Sequence, residues 1–445
     1  MKRWKIVYDK YCQGVEKIYS TVQEYLPYTL VCDKNTDEEY NAVIVKIDNS
    51  IEGFKIVVND AEGENQSVEV VACDEINLLY AASDFRNVYL PYAKYKIHDN
   101  VVDFYHSKPF CDALRTFNYE SKPRIRHRGL WTWGHTIYDY KKYIDNMVTL
   151  KMNTVIIWND YVPVNIDDVI EYAHKNGVNI YLGFPWGWDT KCDKNDISDT
   201  SKLTESVVEK YKSEYLSLNC DGIYFQSFTE LSGDNINGVS IAEAVTDFVN
   251  NTAREIYELN PDLSLLFGLH ATSVKSKMDV FKKIDSRIAI IWEDMGAFPY
   301  NNSSDFTDNF DETLEMNRTA QSLREGGFGA VLKGNYRLDW NTFEHQEGPY
   351  IMGVCTDNEL KRRTETIKPL LKKIQADWII NAKYAYDLIK DFDENAMVTV
   401  LAEDGLFEEI LSYPVALYAQ MMWDSSESLD KIMHMVAQMP DVDFV

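Results

Sequence analysis

The chain has 445 residues, enough for more than one core, and carries 71 Asp and Glu against 45 Lys and Arg, a formal net charge of −26. That charge repels phosphate backbones and anionic bilayer surfaces, so nucleic acid and membrane lipid are excluded as expected partners. The seven cysteines are widely spaced at positions 12, 32, 73, 111, 192, 220 and 355, with no CxxC pair and no Cys/His cluster, which argues against a disulfide framework or a zinc site. They read as free thiols. Met1-Lys-Arg-Trp-Lys-Ile6 lacks the apolar stretch of a secretory signal, and no apolar run is long enough to cross a bilayer, so a cytoplasmic location is expected.

From the start of the chain, strand patterns at Trp4–Tyr8, Ala42–Ile47, Phe54–Val58 and Ser67–Val71 alternate with helical stretches at Gly14–Leu26 and Asn77–Tyr89. Turn residues such as Asp48-Asn-Ser50 and Asp60-Ala-Glu-Gly63 separate them. This predicts a small α/β domain over 1–120 with no evident chemistry of its own. After Pro123 the rhythm becomes strand-then-helix. Strands are expected at Gly129–Trp133, Thr154–Trp158, Asn179–Phe184, Gly222–Gln226, Ser264–Gly268, Ile288–Trp292, Ala330–Lys333 and Tyr350–Val354. Between them lie helical candidates such as Tyr138–Leu150, Ile166–Asn176, Glu205–Leu218 and Ile241–Leu259, the last stopped by Asn260-Pro261. Eight strands alternating with helices predict an α/β fold, a (β/α)8 TIM barrel over 121–365. The remainder, 366–445, reads as helices packed on the barrel.

In such a barrel the working groups sit on loops after the carboxyl ends of the strands. Gln226-Ser-Phe-Thr-Glu230 follows the fourth strand and Trp292-Glu-Asp294 ends the sixth. Cleaving a glycosidic bond takes two carboxyl groups, one to protonate the leaving oxygen and one to act on water or the anomeric carbon. Glu230 and Glu293 are therefore the catalytic candidates. For Glu230 the bland alternative is a solvated loop carboxylate or a helix N-terminal acid; for Glu293 and Asp294 it is an ion pair with Lys333 or Arg337. Trp131, Trp133, Trp158, Trp186, Trp188 and Trp292 cluster at strand ends, where indole faces stack on sugars or simply pack the barrel mouth. Asn159, Asp160 and Arg128 are candidate hydroxyl ligands, and His135 and His270 candidate donors. No His pair has metal-binding helical spacing, so neither metal nor cofactor is expected.

The residues of this region resemble the family-20 glycoside hydrolases, the β-N-acetylhexosaminidases and their relatives. The likeness runs from about Val43 to Glu359 and is carried by Asn77-Leu-Leu-Tyr-Ala-Ala82, Lys122-Pro-Arg-Ile-Arg-His-Arg-Gly129, Asp145-Asn-Met-Val-Thr-Leu-Lys-Met-Asn153 with Trp158-Asn-Asp160, and Val169-Ile-Glu-Tyr-Ala-His-Lys-Asn-Gly177. The resemblance implies that Glu230 is the general acid, that Arg128 and Glu359 hold sugar hydroxyls, that Trp292 lines the pocket, and that Tyr336 in Asn335-Tyr-Arg-Leu-Asp339 faces the acetamido group. Asp339, at the end of that run, joins them as a substrate-binding candidate. The chain departs from the family pattern at Thr229, where an Asp orients the substrate acetamide, and at Ser227 and Phe228, where glycines are expected.

The same two-part arrangement is similar to the family-67 α-glucuronidases, which implies an inverting pair of carboxylates that Glu230 and Glu293 would suit. Two further classes compete: a non-catalytic carbohydrate-binding barrel, prompted by Thr229, and an aldolase or isomerase, for which Lys333 is the one strand-end lysine in place. The leading expectation is an exo-acting glycoside hydrolase that removes a terminal sugar, a β-N-acetylhexosaminide in the first instance, from an oligosaccharide or glycan. A homo-oligomer is compatible with the sequence.

Overall fold

In a computed structural model of the chain, the structure describes residues 3–26, 30–31, 40–59, 65–93, 114–133, 137–159, 161–187, 200–228, 234–236, 238–270, 277–293, 310–324, 326–333, 348–353, 356–402 and 406–445. Two compact units emerge: residues 1–124 with 148–151 and 426–443, and residues 125–147 with 152–425 and 444–445.

The first unit is built on a six-stranded sheet in the order β2-β1-β3-β5-β4-β6, from β1 (Arg3–Tyr8), β2 (Leu30–Val31), β3 (Tyr40–Ile47), β4 (Phe54–Asn59), β5 (Ser67–Ala72) and β6 (Phe117–Ser121). β1, β2, β3 and β5 run parallel, while β4 is antiparallel to both β5 and β6. Trp4, Ile6, Val43, Val45, Ile56, Val68 and Val70 alternate into its core, as a period of two requires. Helices Gln13–Tyr25 and Glu75–Asp84 pack together, the second started by Asp74, whose carboxylate accepts from the Asn77 amide at 2.6 Å. Within this unit Asp84 is fully buried and accepts from Lys151 Nζ at 2.5 Å and Tyr119 Oη at 3.1 Å.

The second unit is a closed, eight-stranded, all-parallel barrel with helices, a (β/α)8 fold. Its strands are β7 (His127–Trp133), β8 (Thr154–Trp158), β9 (Asn179–Gly183), β10 (Gly222–Gln226), β13 (Ser264–His270), β14 (Ile288–Glu293), β15 (Phe328–Leu332) and β16 (Met397–Leu401); β11 (Asn235–Ile236) and β12 (Val239–Ser240) form a small antiparallel ribbon between the fourth and fifth. Seven barrel strands lie where the apolar runs predict them. The eighth does not: of the expected Tyr350–Val354, the described residues Tyr350–Gly353 form no barrel strand, and β16 pairs with β15 on one side and β7 on the other. Met397-Val-Thr-Val-Leu401 is a short β-branched run that a 35-residue helix, Asp357–Asp391, separates from the rest, and it takes the place between the seventh and first strands.

The barrel's interior is filled by Trp131, Ile156, Trp158, Tyr181, Tyr224, Leu266, Ile291, Val331, Met397 and Leu401. Residues of opposite parity, among them Leu130, Val155, Ile223, Phe225, Phe267, Ile290, Trp292 and Val400, are buried on the outer face of the strands. Strand parity therefore sorts the strand-end side chains into those that face inward and those that do not. Among the described residues no helix is long and apolar enough to cross a membrane.

Candidate active site

Glu293 is the last residue of β14, two positions beyond inward-facing Ile291, so parity points its carboxylate into the carboxyl end of the barrel. It is 1% exposed. Oε1 accepts from Tyr224 Oη and from Gln226 Nε2, both on β10, and Oε2 lies 3.0 Å from Lys333 Nζ, just after β15. One cation and two neutral donors thus converge on one carboxylate from the fourth and seventh strands. Donors aimed at a carboxylate favour its ionised form, and removal of any of them would leave a buried charge less compensated.

Two glycines make this arrangement possible. A Cβ on Gly268 of β13 would lie 2.0 Å from Tyr224 Oη and 2.9 Å from Glu293 Oε1, so only glycine lets the phenol pass strand five. A Cβ on Gly183 of β9 would lie 2.5 Å from Trp158 Cε3. Trp131 and Trp158 then meet the Tyr224 ring edge-on, with centroids 5.9 and 5.5 Å away. Burial, reinforced by the Glu293 charge, holds the Tyr224 phenol well above the usual tyrosine range, so it remains a donor throughout the physiological pH range.

The fourth strand leaves the barrel under constraint. Phe228 has φ +51°, a left-handed conformation that costs a non-glycine residue free energy and is held here by packing, with its ring against Phe248 and pressed close to Gly187. This strained turn immediately precedes Thr229 and Glu230. Both lie outside the described residues, as do Asp160, Asp294, Tyr336, Asp339, Trp188 and His135.

Parity separates the remaining candidates. Trp131 and Trp158 face inward, Trp158 at the carboxyl end and Trp131 one layer below. Trp133 and His270 end β7 and β13. Trp292, between Ile291 and Glu293, belongs to the outer face. So does Trp186, whose indole stacks at 3.6 Å on Phe225, which stacks in turn on Phe267. Arg128 sits at the opposite end of the barrel, near the amino end of β7. It is buried, donates to the carbonyls of Ile125 and Arg126 at 3.2 and 3.1 Å, and lies 4.7 Å above the Trp423 ring. The position that was expected to hold sugar hydroxyls is occupied in holding the barrel floor. Glu359 is in the first turn of helix Asp357–Asp391 rather than on a strand end; it pairs with Arg362 and accepts from Tyr138 Oη at 3.2 Å. The Arg362 bond, foremost, keeps its carboxyl below the usual range.

Sequence reasoning missed Tyr224, Gln226 and Gly268 as parts of the site. Their signal was parity: Tyr224 and Gln226 share a face of strand four, and Gly268 stands opposite on strand five. Tyr350 was also missed, because it was assigned to a strand; its Oη accepts from Asn159 Nδ2 at 3.2 Å. Among the described residues no group of three or more His, Cys, Asp or Glu is placed to hold a metal ion.

No family model and no curated protein matches the sequence. Among solved structures the chain is similar to two glycoside hydrolase family 84 proteins. CpGH84B is 12% identical, with a TM-score of 0.50 over 97% of this chain and 70% of that one; CpGH84D is 9% identical, with a TM-score of 0.50 over 97% and 67%. These likenesses establish a shared fold and do not single out family 20.

Proposed function

We propose that the chain is an exo-acting glycoside hydrolase that removes a terminal sugar, with a β-N-acetylhexosaminide the first substrate to try, from an oligosaccharide or glycan. The observation that carries the reading is Glu293: a buried carboxylate at the carboxyl end of a TIM barrel, oriented from two other strands. In this reading Glu230, four residues beyond Gln226, protonates the leaving oxygen. Glu293 supplies the partner carboxylate, its orientation fixed by Tyr224, Gln226 and Lys333 before substrate arrives, so that little reorganisation remains as the sugar ring acquires positive charge. Trp158 walls the site. Asp160, Asp294, Tyr336 and Asp339, which follow strands two, six and seven in the sequence, and Glu359, in the helix after them, are the proposed hydroxyl and acetamide ligands.

The test is release of 4-nitrophenol from a panel of glycosides, including β-GlcNAc, β-GalNAc, α-glucuronide and plain hexosides, by wild type, Glu230→Gln and Glu293→Gln. Release that falls by at least about 100-fold in each variant, with thermal midpoints nearly unchanged for Glu230→Gln, supports the assignment. Release from α-glucuronide alone moves the chain to the inverting α-glucuronidase reading, and a Glu230→Gln protein of full activity removes Glu230 as the acid. The second reading, a barrel that binds carbohydrate without turning it over, draws on Thr229 and on the tie between Glu293 and Lys333; binding with silence across the panel selects it.

A further inference from the structure

The strand-two loop and the strand-seven loop, both on the carboxyl face of the barrel, are clasped to each other past the ends of strands eight and one. Val164 N donates to Tyr350 O at 2.8 Å. Asn165 then closes both backbone groups of Met352, donating from Nδ2 to its carbonyl at 2.8 Å and accepting from its amide on Oδ1 at 3.0 Å. The Asn159–Tyr350 side-chain bond adds a fourth tie directly after inward-facing Trp158. Four ties over so short a span leave the two segments few alternative arrangements.

The composition of the clasp is unusual for this chain. Tyr161-Val-Pro-Val-Asn165 and Gly348-Pro-Tyr-Ile-Met-Gly353 contain no charged residue, in a protein where 26% of residues are charged. Of the eight large apolar side chains exposed among the described residues, two are here: Val164 is 68% and Ile351 63% exposed. Two exposed apolar side chains on segments tied to each other, at the barrel end that carries the candidate active site, gain most by covering an apolar part of what enters that site.

We infer that Val164 and Ile351 form an apolar leaving-group subsite, so that the glycosides this protein takes carry an alkyl or aryl aglycone next to the terminal sugar. The inference rests on the hydrolase reading for the position of the terminal sugar, with Tyr350 and Asn159 positioning the rim. The polar side chains of the clasp, Asn159, Asn165 and the Tyr350 hydroxyl, are engaged in its own hydrogen bonds, and the exposed Val164 and Ile351 offer an apolar aglycone more than a further sugar.

The test is binding, so that it is independent of turnover. Calorimetric titration of the full chain with methyl and hexyl glycosides of each sugar in the hydrolysis panel should show the hexyl compound of at least one sugar binding about tenfold more tightly than its methyl counterpart. A Val164→Ser/Ile351→Ser double variant, whose changes are both at exposed positions, should lose most of that preference while methyl-glycoside affinity stays within about twofold. An equal affinity for both glycosides, a preference that the double variant retains, or no binding of any hexyl glycoside overturns the inference. Hexyl preference that depends on Val164 and Ile351, with a hydrolysis panel that is silent, rejects the hydrolase reading alone. Sedimentation velocity of both proteins separates a self-association face: a wild-type dimer that the double variant dissolves, without hexyl preference, assigns the rim to a second copy of the chain.

Discussion

Lys333 Nζ lies 3.0 Å from Glu293 Oε2, the two side chains reaching toward each other from adjacent strands at the carboxyl end of the barrel. The Glu293 side chain is 2% exposed and that of Lys333 12%, so the carboxylate has no bulk water to fall back on. Lys333→Met should therefore destabilise the barrel by about 3–5 kcal/mol, because it strands a buried carboxylate. Lys333→Met/Glu293→Gln should recover a large part of that loss by removing the charge as well. Urea denaturation of the two variants against wild type checks this, and a Lys333→Met protein as stable as wild type would mean that Glu293 does not depend on Lys333.

Gly268→Ala should cost about 1–3 kcal/mol, since the added methyl meets Tyr224 Oη and Glu293 Oε1 and the phenol must move. In the hydrolase reading it should also lower kcat without a matching change in KM, because the partner carboxylate loses its orientation. Differential scanning calorimetry with steady-state kinetics would register both effects.

Arg128 and Glu230 are expected to fail in opposite ways. Arg128→Ala removes two hydrogen bonds and the stacking on Trp423, and should lower stability by about 2–3 kcal/mol. The affinity of folded protein for a glycoside should not change. A large rise in KM with unchanged stability would instead return Arg128 to the list of sugar ligands.

Asp84→Asn should destabilise the first unit by about 3–5 kcal/mol, since Lys151 keeps its charge and loses its counterion. Limited proteolysis, read by which fragments appear first, would localise the opening to that unit.

His127 stands between Arg126 and Arg128 in sequence, and burial, followed by those two cations, lowers its pKa below the ordinary histidine value. A depressed pKa means that the unfolded chain binds the proton more readily than the folded one. Its contribution to stability is therefore fully present above about pH 6.5 and is lost as pH falls toward the folded-state pKa. His127→Gln should show a smaller fall in urea midpoint between pH 7.5 and pH 5 than wild type; parallel pH profiles would show that His127 is not responsible.

Local pattern determined the architecture. The apolar runs from Gly129 to Lys333 predict seven of the eight barrel strands because a parallel strand buried on both faces must be continuously apolar, and that requirement is written in five or six consecutive residues. The same locality placed Glu293 at a strand end. What local pattern could not carry was closure: Tyr350–Val354 and Met397–Leu401 are both short apolar runs, and only pairing with β15 and β7 decides which of them completes the barrel.

Which way a strand-end side chain faces was likewise decided by the assembled barrel. Trp292 and Glu293 are neighbours in sequence and lie on opposite faces of one strand, and Arg128 is near the beginning of its strand, at the end away from the site. Tyr224, Gln226, Lys333 and Gly268 come from two strands and the residue after a third, separated by up to 109 positions, and nothing local to any of them announces a shared carboxylate. The sequence by itself determined that a parallel α/β barrel would form and which residues end its strands, because both follow from short-range periodicity. Only tertiary structure decided which side chains meet there, because convergence depends on strand register and on the room left where a neighbouring strand carries glycine.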